Sequence, residues 1–414
     1  SVLECMQLFS SDMFSLNIDT TMDASGLSLR DVEKTNKNKN KNISKWFRTF
    51  GAYLGRYYIE GDKGLQSDPV HESSTCTVFY VIDTEKHTID PEYHVVLKIM
   101  KVKKNFDREL KARLRYIPPI LKETHEVPKS DNRYHEEHVV PLFRYHSGHD
   151  NGKEYYVLVM MKGSKSLHNI IDSEQVAGGR DPDKVIFIGK DLAKALKHMH
   201  GQKMIHGDVK PKNVVRTSDG DIKLIDLDAS VSFNEDLSDK QKSTAYISPE
   251  LARIEFRPTE NIEDLKKEVI IKKKEFLEID NDDENSDEKY EGVTTEILSL
   301  NGKIKHLQSG TPKDVIKSVK AGFMMDIWGF GVSMFYLCTD KEPLFRANQT
   351  DDGLEGEDEI RRLVNWKRLS QEELNKILPH CDDIKVRDRA KTFLSKCLDP
   401  EEQKRYQDFN EILN

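Results

Sequence analysis

The sequence predicts an α+β fold in two lobes, a small β-rich lobe followed by a larger α-rich one. Three observations carry this. Short β-branched and aromatic runs crowd residues 56–161, with polar or turn segments between them. From residue 162 onward apolar residues recur mainly at helical spacing instead. At 414 residues, 37% of them hydrophobic, the chain is long enough to build a sizeable core across two or three lobes.

The elements follow in order. Residues 1–45 are weakly patterned and include "KTNKNKNKN" (34–42), a Lys/Asn tract that buries too little apolar surface to fold. A disordered N-terminal segment is expected there. Asparagine dilutes each lysine, and Asp31 and Glu33 precede the tract, so it reads as a solvated linker. The first lobe is assigned to residues 46–161. "RYYIE" (56–60), "CTVFYVID" (76–83) and "YHVVLKIM" (93–100) read as consecutive antiparallel strands. "NFDRELKARLRYI" (105–117) reads as a helix stopped by Pro118 and Pro119. Strands return at "HVVPLFRYHS" (138–147) and "EYYVLVMM" (154–161), giving the order β-β-β-α-β-β.

The second lobe is assigned to residues 162–414. "DPDKVIFIGKDLAKALKHMHGQ" (181–202) opens with Asp and Pro at cap positions and continues with helical periodicity. Further helical patterns lie at 324–339, in "QEELNKIL" and in "VRDRAKTFLSKCL". Residues 256–320 interrupt them with "KKEVIIKKKEFLEIDNDDENSDEKYEG", a charge-dense block. Such blocks are usually solvated. A surface insertion is expected, with docking of a partner as the alternative.

Composition narrows the function. A net charge of -8 argues against nucleic acid as the main partner. No apolar run approaches the ~20 residues that span a bilayer. "SVLECMQLFS" lacks the basic and apolar regions of a signal peptide. Cys5, Cys76, Cys338, Cys381 and Cys397 are odd in number, scattered, and form no C-x-x-C. Reduced thiols in a cytoplasmic or nuclear protein, not a secreted one, are expected.

The middle of the chain carries chemistry. Magnesium-assisted phosphoryl transfer needs a cation on the nucleotide phosphates, oxygen ligands for Mg²⁺, and a carboxylate that orients the acceptor hydroxyl. "VVLKIM" places Lys98 in a strand, and Glu109 in "DRELK" sits on the following helix. "HGDVKPKN" supplies Asp208, Lys210 and Asn213 on a loop, and "IKLIDLDAS" supplies Asp226 at a strand end. Each is weak alone. Their order and spacing together are not.

From about residue 56 onward, the insertion apart, these motifs resemble the eukaryotic protein kinase superfamily. "VVLK" is similar to V-A-I-K, "HGDVKPKN" to H-R-D-L-K-P-x-N, "DLD" to D-F-G and "SPE" (248–250) to A-P-E. "DIWGFG" (326–331) resembles the D-x-W-x-x-G helix start. The resemblance implies a bilobal protein kinase fold and a protein serine/threonine kinase using ATP and Mg²⁺ on a protein substrate. By it, Asp208 is the catalytic base and Lys210 the transition-state lysine. Lys98, Glu109, Ser73, Cys76 and Met161 belong to the ATP site. Asn213 and Asp226 are magnesium ligands. His206, Glu250, Asp326 and Arg405 are structural, with Arg405 of "DPEEQKRY" pairing with Glu250. Lys210 goes with serine/threonine substrates, and Ser243 falls where a threonine contacts the catalytic loop. Small-molecule phosphotransferases share His-Gly-Asp and a downstream Asn but generally lack Lys210, the A-P-E segment and the D-x-W helix.

The departures are specific. Where the family has G-x-G-x-x-G, this chain has His71, Glu72, Ser73, Ser74, Thr75 and Cys76. Small Ser73 and Cys76 are expected to substitute in part for glycines that let backbone approach phosphate. Asp228 replaces the D-F-G glycine, implying altered magnesium use or a different loop. Gly207 replaces the H-R-D arginine, so switching by a phosphate on the activation segment is not expected. Ser238, Ser243 and Thr244 read by default as ordinary polar loop residues. Arg113 stands where the family has an apolar residue, which implies a displaced helix or a shifted register. Besides the kinase, a pseudokinase scaffold and a small-molecule phosphotransferase stay open.

Overall fold

The structure is a computed structural model, and it describes residues 53, 56–59, 69–73, 75–87, 94–115, 125–150, 153–235, 243–256, 262–279, 286–308, 320–348 and 352–414. The expected disordered segment, residues 1–45, lies outside them.

The first lobe is one antiparallel sheet built from the β-branched runs. Its strands are β1 (Tyr57–Ile59), β2 (His71–Glu72), β3 (Cys76–Asp83), β4 (His94–Met100), β5 (His125–Glu126), β6 (Leu142–Asp150) and β7 (Lys153–Met161). They lie in the order β1-β3-β4-β7-β6-β5, and β2 also pairs with β3. Side chains alternate across a strand, and here both faces are covered. Val78, Tyr80, Val96, Met100, Leu158 and Met160 pack with Phe106 and Leu110 of helix α1 (Lys103–Arg113). Phe79, Val81, Val95, Leu97, Val157 and Val159 pack with Tyr53 and Tyr57. Lys98 shares the parity of Val96 and Met100, and its register partners are Val78 and Leu158. The pleat therefore aims the lysine at α1.

Helix α1 is shorter than its sequence pattern. It stops at Arg113 because Leu114 turns extended (φ -102, ψ 144) and bridges to Asn132. The break comes before the prolines.

In the second lobe, α2 (Leu167–Ser173) precedes α3 (Pro182–Gly201), whose cap Asp181 accepts from Lys184 N–H at 3.1 Å. The later helices are α4 (Pro249–Glu255), α5 (Ile262–Leu277), α6 (Ser286–Gln308), α7 (Phe323–Cys338), α8 (Glu357–Val364), α9 (Gln371–Asn375), α10 (Ile384–Cys397) and α11 (Phe409–Leu413). Helix α7 is apolar nearly all round and buried accordingly, the pattern of a central helix. Trp328, Phe330 and Phe335 on it join Leu192, Leu196, Leu394 and Phe409 in the main core.

The charged insertion holds more order than its composition suggests. Leu265 and Val269 of α5 meet Leu300 and Ile304 of α6, each pair spaced four apart within charged sequence. One such stripe per helix suffices for a hairpin. Lys272 Nζ ties it further, at 2.8 Å from both Glu275 and Glu296 carboxylates. Most of the acidic run between the helices lies outside the described residues.

Two small pairings build the floor of the cleft. Strand β10 (Val214–Arg216) lies between β8 (Lys165–Ser166) and β11 (Ile222–Leu224), and β9 (Met204–Ile205) pairs with β12 (Val231–Ser232). Val214 opposes Leu224, and Ile205 opposes Val231. The loops 206–213 and 225–230 are thus closed at both ends and run side by side.

Candidate active site

The loop 206–213 hangs from the central helix. Asp326 of α7 accepts from His206 N–H at 2.8 Å, Gly207 N–H at 2.9 Å and His200 Nε2 at 2.9 Å. Burial would raise its carboxyl, but His200 and the backbone donors outweigh that and hold it below its ordinary value. His206 is fully buried; its Nε2 lies 3.1 Å from Ile225 C=O and its Nδ1 accepts from Asp208 N–H at 3.3 Å. Gly207 has φ 78, and a Cβ there would stand 2.7 Å from Ala229 C=O. Both the left-handed backbone and the adjacent loop therefore exclude an arginine at 207.

Above the loop, Lys98 Nζ donates to Glu109 Oε2 and Asp226 Oδ1, each at 2.6 Å. The register of α1 stands and the helix is not displaced. Arg113 is instead drawn inward. Its Nε donates to Glu109 Oε1 at 2.9 Å and its Nη1 to Val140 C=O at 2.7 Å, with the side chain almost wholly buried. Val140 N–H in turn donates to Leu224 C=O at 3.0 Å, two residues before Asp226. A closed circuit results: Lys98, Glu109, Arg113, Val140, Leu224, Asp226 and back to Lys98.

Charge within this circuit is balanced. Burial would lower the Lys98 ammonium, but Asp226 and Glu109 outweigh it and raise it well above its ordinary value. Burial would likewise raise Asp226, and Lys98 overcomes that and lowers it. Asp226 sits at φ 58, a left-handed conformation uncommon for aspartate, anchored by Lys98. Asp228 is pushed up to about 7, first by burial and then by Asp226. A divalent cation on these oxygens would reverse that second effect. Lys98, Glu109, Asp226 and Met161 line one cleft together with Val96, Val140, Met160, Gly163 and Ile225.

On the acceptor side, Asn213 Nδ2 donates to Asp208 Oδ2 at 2.7 Å and to Asp208 C=O at 2.8 Å. Asn213 Oδ1 is buried and has no hydrogen-bond partner among the described residues. Lys210 Nζ donates to Ser243 Oγ at 2.6 Å and lies 3.4 Å from Asp208 Oδ2. Sequence reasoning missed the residue that completes this cluster. Asp352 arrives from the stretch between α7 and α8, and its carboxylate takes Lys210 and Lys212 at 2.8 Å each. Nothing in its own sequence window signals this, because "TDDG" reads as a turn.

The turn that replaces the glycine-rich loop is closed on itself. Ser73 N–H donates to Cys76 C=O at 2.9 Å, and Ser73 Oγ accepts from Thr75 N–H at 3.3 Å and Cys76 N–H at 3.1 Å. The amides of Thr75 and Cys76 therefore already have an acceptor. Cys76 joins the α1-side core of the sheet, and its buried thiol is pushed up.

Beneath the site, Arg405 Nη1 and Nη2 grip Glu250 Oε1 and Oε2 at 2.8 Å each, while its Nε donates to Asp399 C=O at 2.8 Å. The guanidinium also lies 5.0 Å from the Trp328 ring centre. Burial would raise the Glu250 carboxyl, but Arg405 outweighs it and lowers it. A depressed carboxylate stabilises the fold above its unfolded pKa, near 4.3, and loses that contribution as pH falls through its folded value. Glu250→Gln is therefore expected to lower stability by about 3 kcal/mol at neutral pH. Denaturant melts across pH should show that gap narrowing below about pH 4. A gap independent of pH would mean the ion pair is not its source.

Two lobes, a buried Lys–Glu–Asp cluster in the cleft and a His-Gly-Asp loop below it define the protein kinase fold. The family model described as "Protein kinase domain" matches residues 78–262. Among similar proteins, serine/threonine-protein kinase prpf4B of Dictyostelium discoideum is 27% identical over 256 residues, 58% of this chain and 30% of that protein. A Dictyostelium discoideum serine/threonine-protein kinase stk11 homolog is 30% identical over 171 residues, 39% of this chain and 26% of that protein. The MAP kinase kinase MKK1/SSP32 of Saccharomyces cerevisiae is 27% identical over 236 residues, 56% of this chain and 39% of that protein. Residues 78–262 match a protein kinase domain, and with these similarities that match supports membership of the eukaryotic protein kinase superfamily. The chain spans well under half the length of these relatives. No helix among the described residues is long and apolar enough to cross a membrane.

Proposed function

We propose that this chain transfers the γ-phosphoryl of ATP, with Mg²⁺, to serine or threonine hydroxyls of a protein substrate. The observation that carries this is the buried, unpartnered Asn213 Oδ1 in a loop already holding Asp208 and lying beside Asp226. Other buried polar atoms also lack partners, but this one lies where Asn213 C=O accepts from Ile225 N–H at 3.1 Å, one residue before Asp226. Magnesium is satisfied by one or two protein oxygens plus phosphates, so Asn213 and Asp226 fit it without a preassembled cage. When bound, it would offset phosphate charge.

The roles divide by lobe. Lys98, steered by Glu109, holds phosphate, and Met161 lines the nucleotide's cleft. Asp208, its carboxylate fixed by Asn213 Nδ2, accepts the hydrogen bond of the substrate hydroxyl and takes its proton as the phosphoryl group transfers. Lys210 offsets charge on the group in transfer. The Lys210–Ser243 contact and the names of the similar kinases favour serine/threonine acceptors. A cytoplasmic or nuclear setting is proposed on the odd number and scatter of the five cysteines in the sequence.

One observation favours a second reading. The self-satisfied Ser73 turn offers phosphate no open amide at residues 75 and 76, as in a pseudokinase scaffold that binds nucleotide weakly. Thermal-shift titration with ATP and Mg²⁺ separates the two. Wild type is expected to gain about 2.7 kcal/mol at ligand a hundredfold above Kd, and Lys98→Met to lose that gain. No stabilisation of wild type, and no transfer of label from ATP to a generic protein acceptor, would leave the scaffold. Transfer to amino alcohols or sugars alone would leave a small-molecule phosphotransferase.

A further inference from the structure

Asp352 is the feature that the roles above leave unused. Three independent constraints place it. Its carboxylate bridges two lysine ammoniums of the loop 206–213, Oδ1 to Lys212 and Oδ2 to Lys210. Its C=O accepts from Ala245 N–H at 3.1 Å, and Leu354 N–H donates to Thr244 Oγ1 at 2.8 Å. Two backbone bonds, Asn348 N–H to Gly353 C=O and Glu355 N–H to Arg346 C=O, both 2.9 Å, tie its two flanks together.

The position is costly to maintain. Asp352 is only 7% exposed and sits at φ 57, the left-handed region that non-glycine residues seldom occupy. A buried carboxylate persists where it is paired, and a strained backbone where its surroundings over-determine it. Both conditions are met here by the catalytic loop and by the segment at 243–246. Without Asp352, the Lys210 and Lys212 ammoniums would lose the anion they share, and Lys210 the partner that holds it beside Asp208.

We infer that Asp352 is a positioning residue for phosphoryl transfer, holding Lys210 beside Asp208 and fastening residues 243–246 onto the catalytic loop. This rests on the kinase reading above. Gly207 excludes an arginine, and residues 244 and 245 are instead secured by the segment that carries the Asp352 carboxylate. No phosphate on residues 243–246 is then required to order them.

The test uses the full chain with Asp352→Asn, which keeps shape and removes charge, and Asp352→Gly, which suits the backbone conformation. Both are expected to lower kcat at least ~10-fold while KM for ATP and the ATP thermal shift stay within about 2-fold, because the contact that suffers is the one Lys210 makes to the group in transfer only in the transition state. Amide hydrogen exchange is expected to quicken in peptides covering 208–213 and 243–247. Unchanged kcat in both variants would overturn the inference. So would a higher kcat, which would make Asp352 an autoinhibitory plug on Lys210. If wild type transfers no phosphate, the kinase reading fails on its own, and exchange still decides the clamp: unaltered exchange in both variants overturns it.

Discussion

Asp208→Asn is expected to lower kcat by ~10²–10⁴-fold, the usual contribution of a positioned base, while ATP still stabilises the protein. The neighbouring amide makes the outcome specific. Asn213 Nδ2 donates to Asp208 Oδ2 at 2.7 Å, so an asparagine at 208 must turn its oxygen toward Asn213 to keep that bond. Its NH₂ then faces the acceptor side, where a lone pair is needed. The substitution preserves shape and the loop's suspension from Asp326, and inverts the polarity at one atom. Initial rates with labelled ATP and a generic protein acceptor, run beside the thermal shift, check this. A variant retaining half the wild-type rate would remove Asp208 from the chemistry.

Glu109→Ala is expected to destabilise the protein by about 3–5 kcal/mol, the cost of stripping one partner from a buried ion pair. Two cations depend on this carboxylate, Lys98 at 2.6 Å and Arg113 at 2.9 Å. Removing it leaves both buried with Asp226 as the nearby anion that remains on Lys98. The double variant Glu109→Ala/Arg113→Leu restores charge balance, since Lys98 then faces Asp226 alone. It is expected to be more stable than Glu109→Ala, and the coupling, the double effect less the two single effects, is expected at about 1–3 kcal/mol. Denaturant unfolding of the four proteins in the cycle gives that coupling directly. A double variant less stable than Glu109→Ala would show that Arg113 acts as packing and not as charge.

Such a coupling bears on regulation. In this chain the helix carrying Glu109 is tied through Arg113 and Val140 to the strand that leads to Asp226. A loss at any member loosens the others, because Lys98, Glu109 and Arg113 are almost wholly buried and Asp226 alone of the four charges is partly exposed. The exclusion of arginine at 207 and the anchorage by Asp352 act in the same direction on the second lobe. Both halves of the cleft are held together by buried charge the chain itself supplies.

The sequence by itself carried the two lobes, the longer strands and helices, and four of the residues that line the cleft, Lys98, Glu109, Met161 and Asp226. Those signals are local. A period of two aims Lys98 at α1, a period near 3.6 aims Glu109 back at the sheet, and "HGDVKPKN" carries Asp208, Lys210 and Asn213 within one turn of chain. Tertiary structure alone decided four things. It turned Arg113 from a misfit into an ion-pair partner, closed Ser73 on its own turn, paired the apolar stripes of the charged insertion, and set Asp352 on Lys210 and Lys212. For Arg113 and Asp352 the reason is the same. A charged or polar residue reads as solvated in its own window, and whether it is buried, and which opposite charge it meets, depends on segments as far away as Asp352 is from Lys212, 140 residues along the chain.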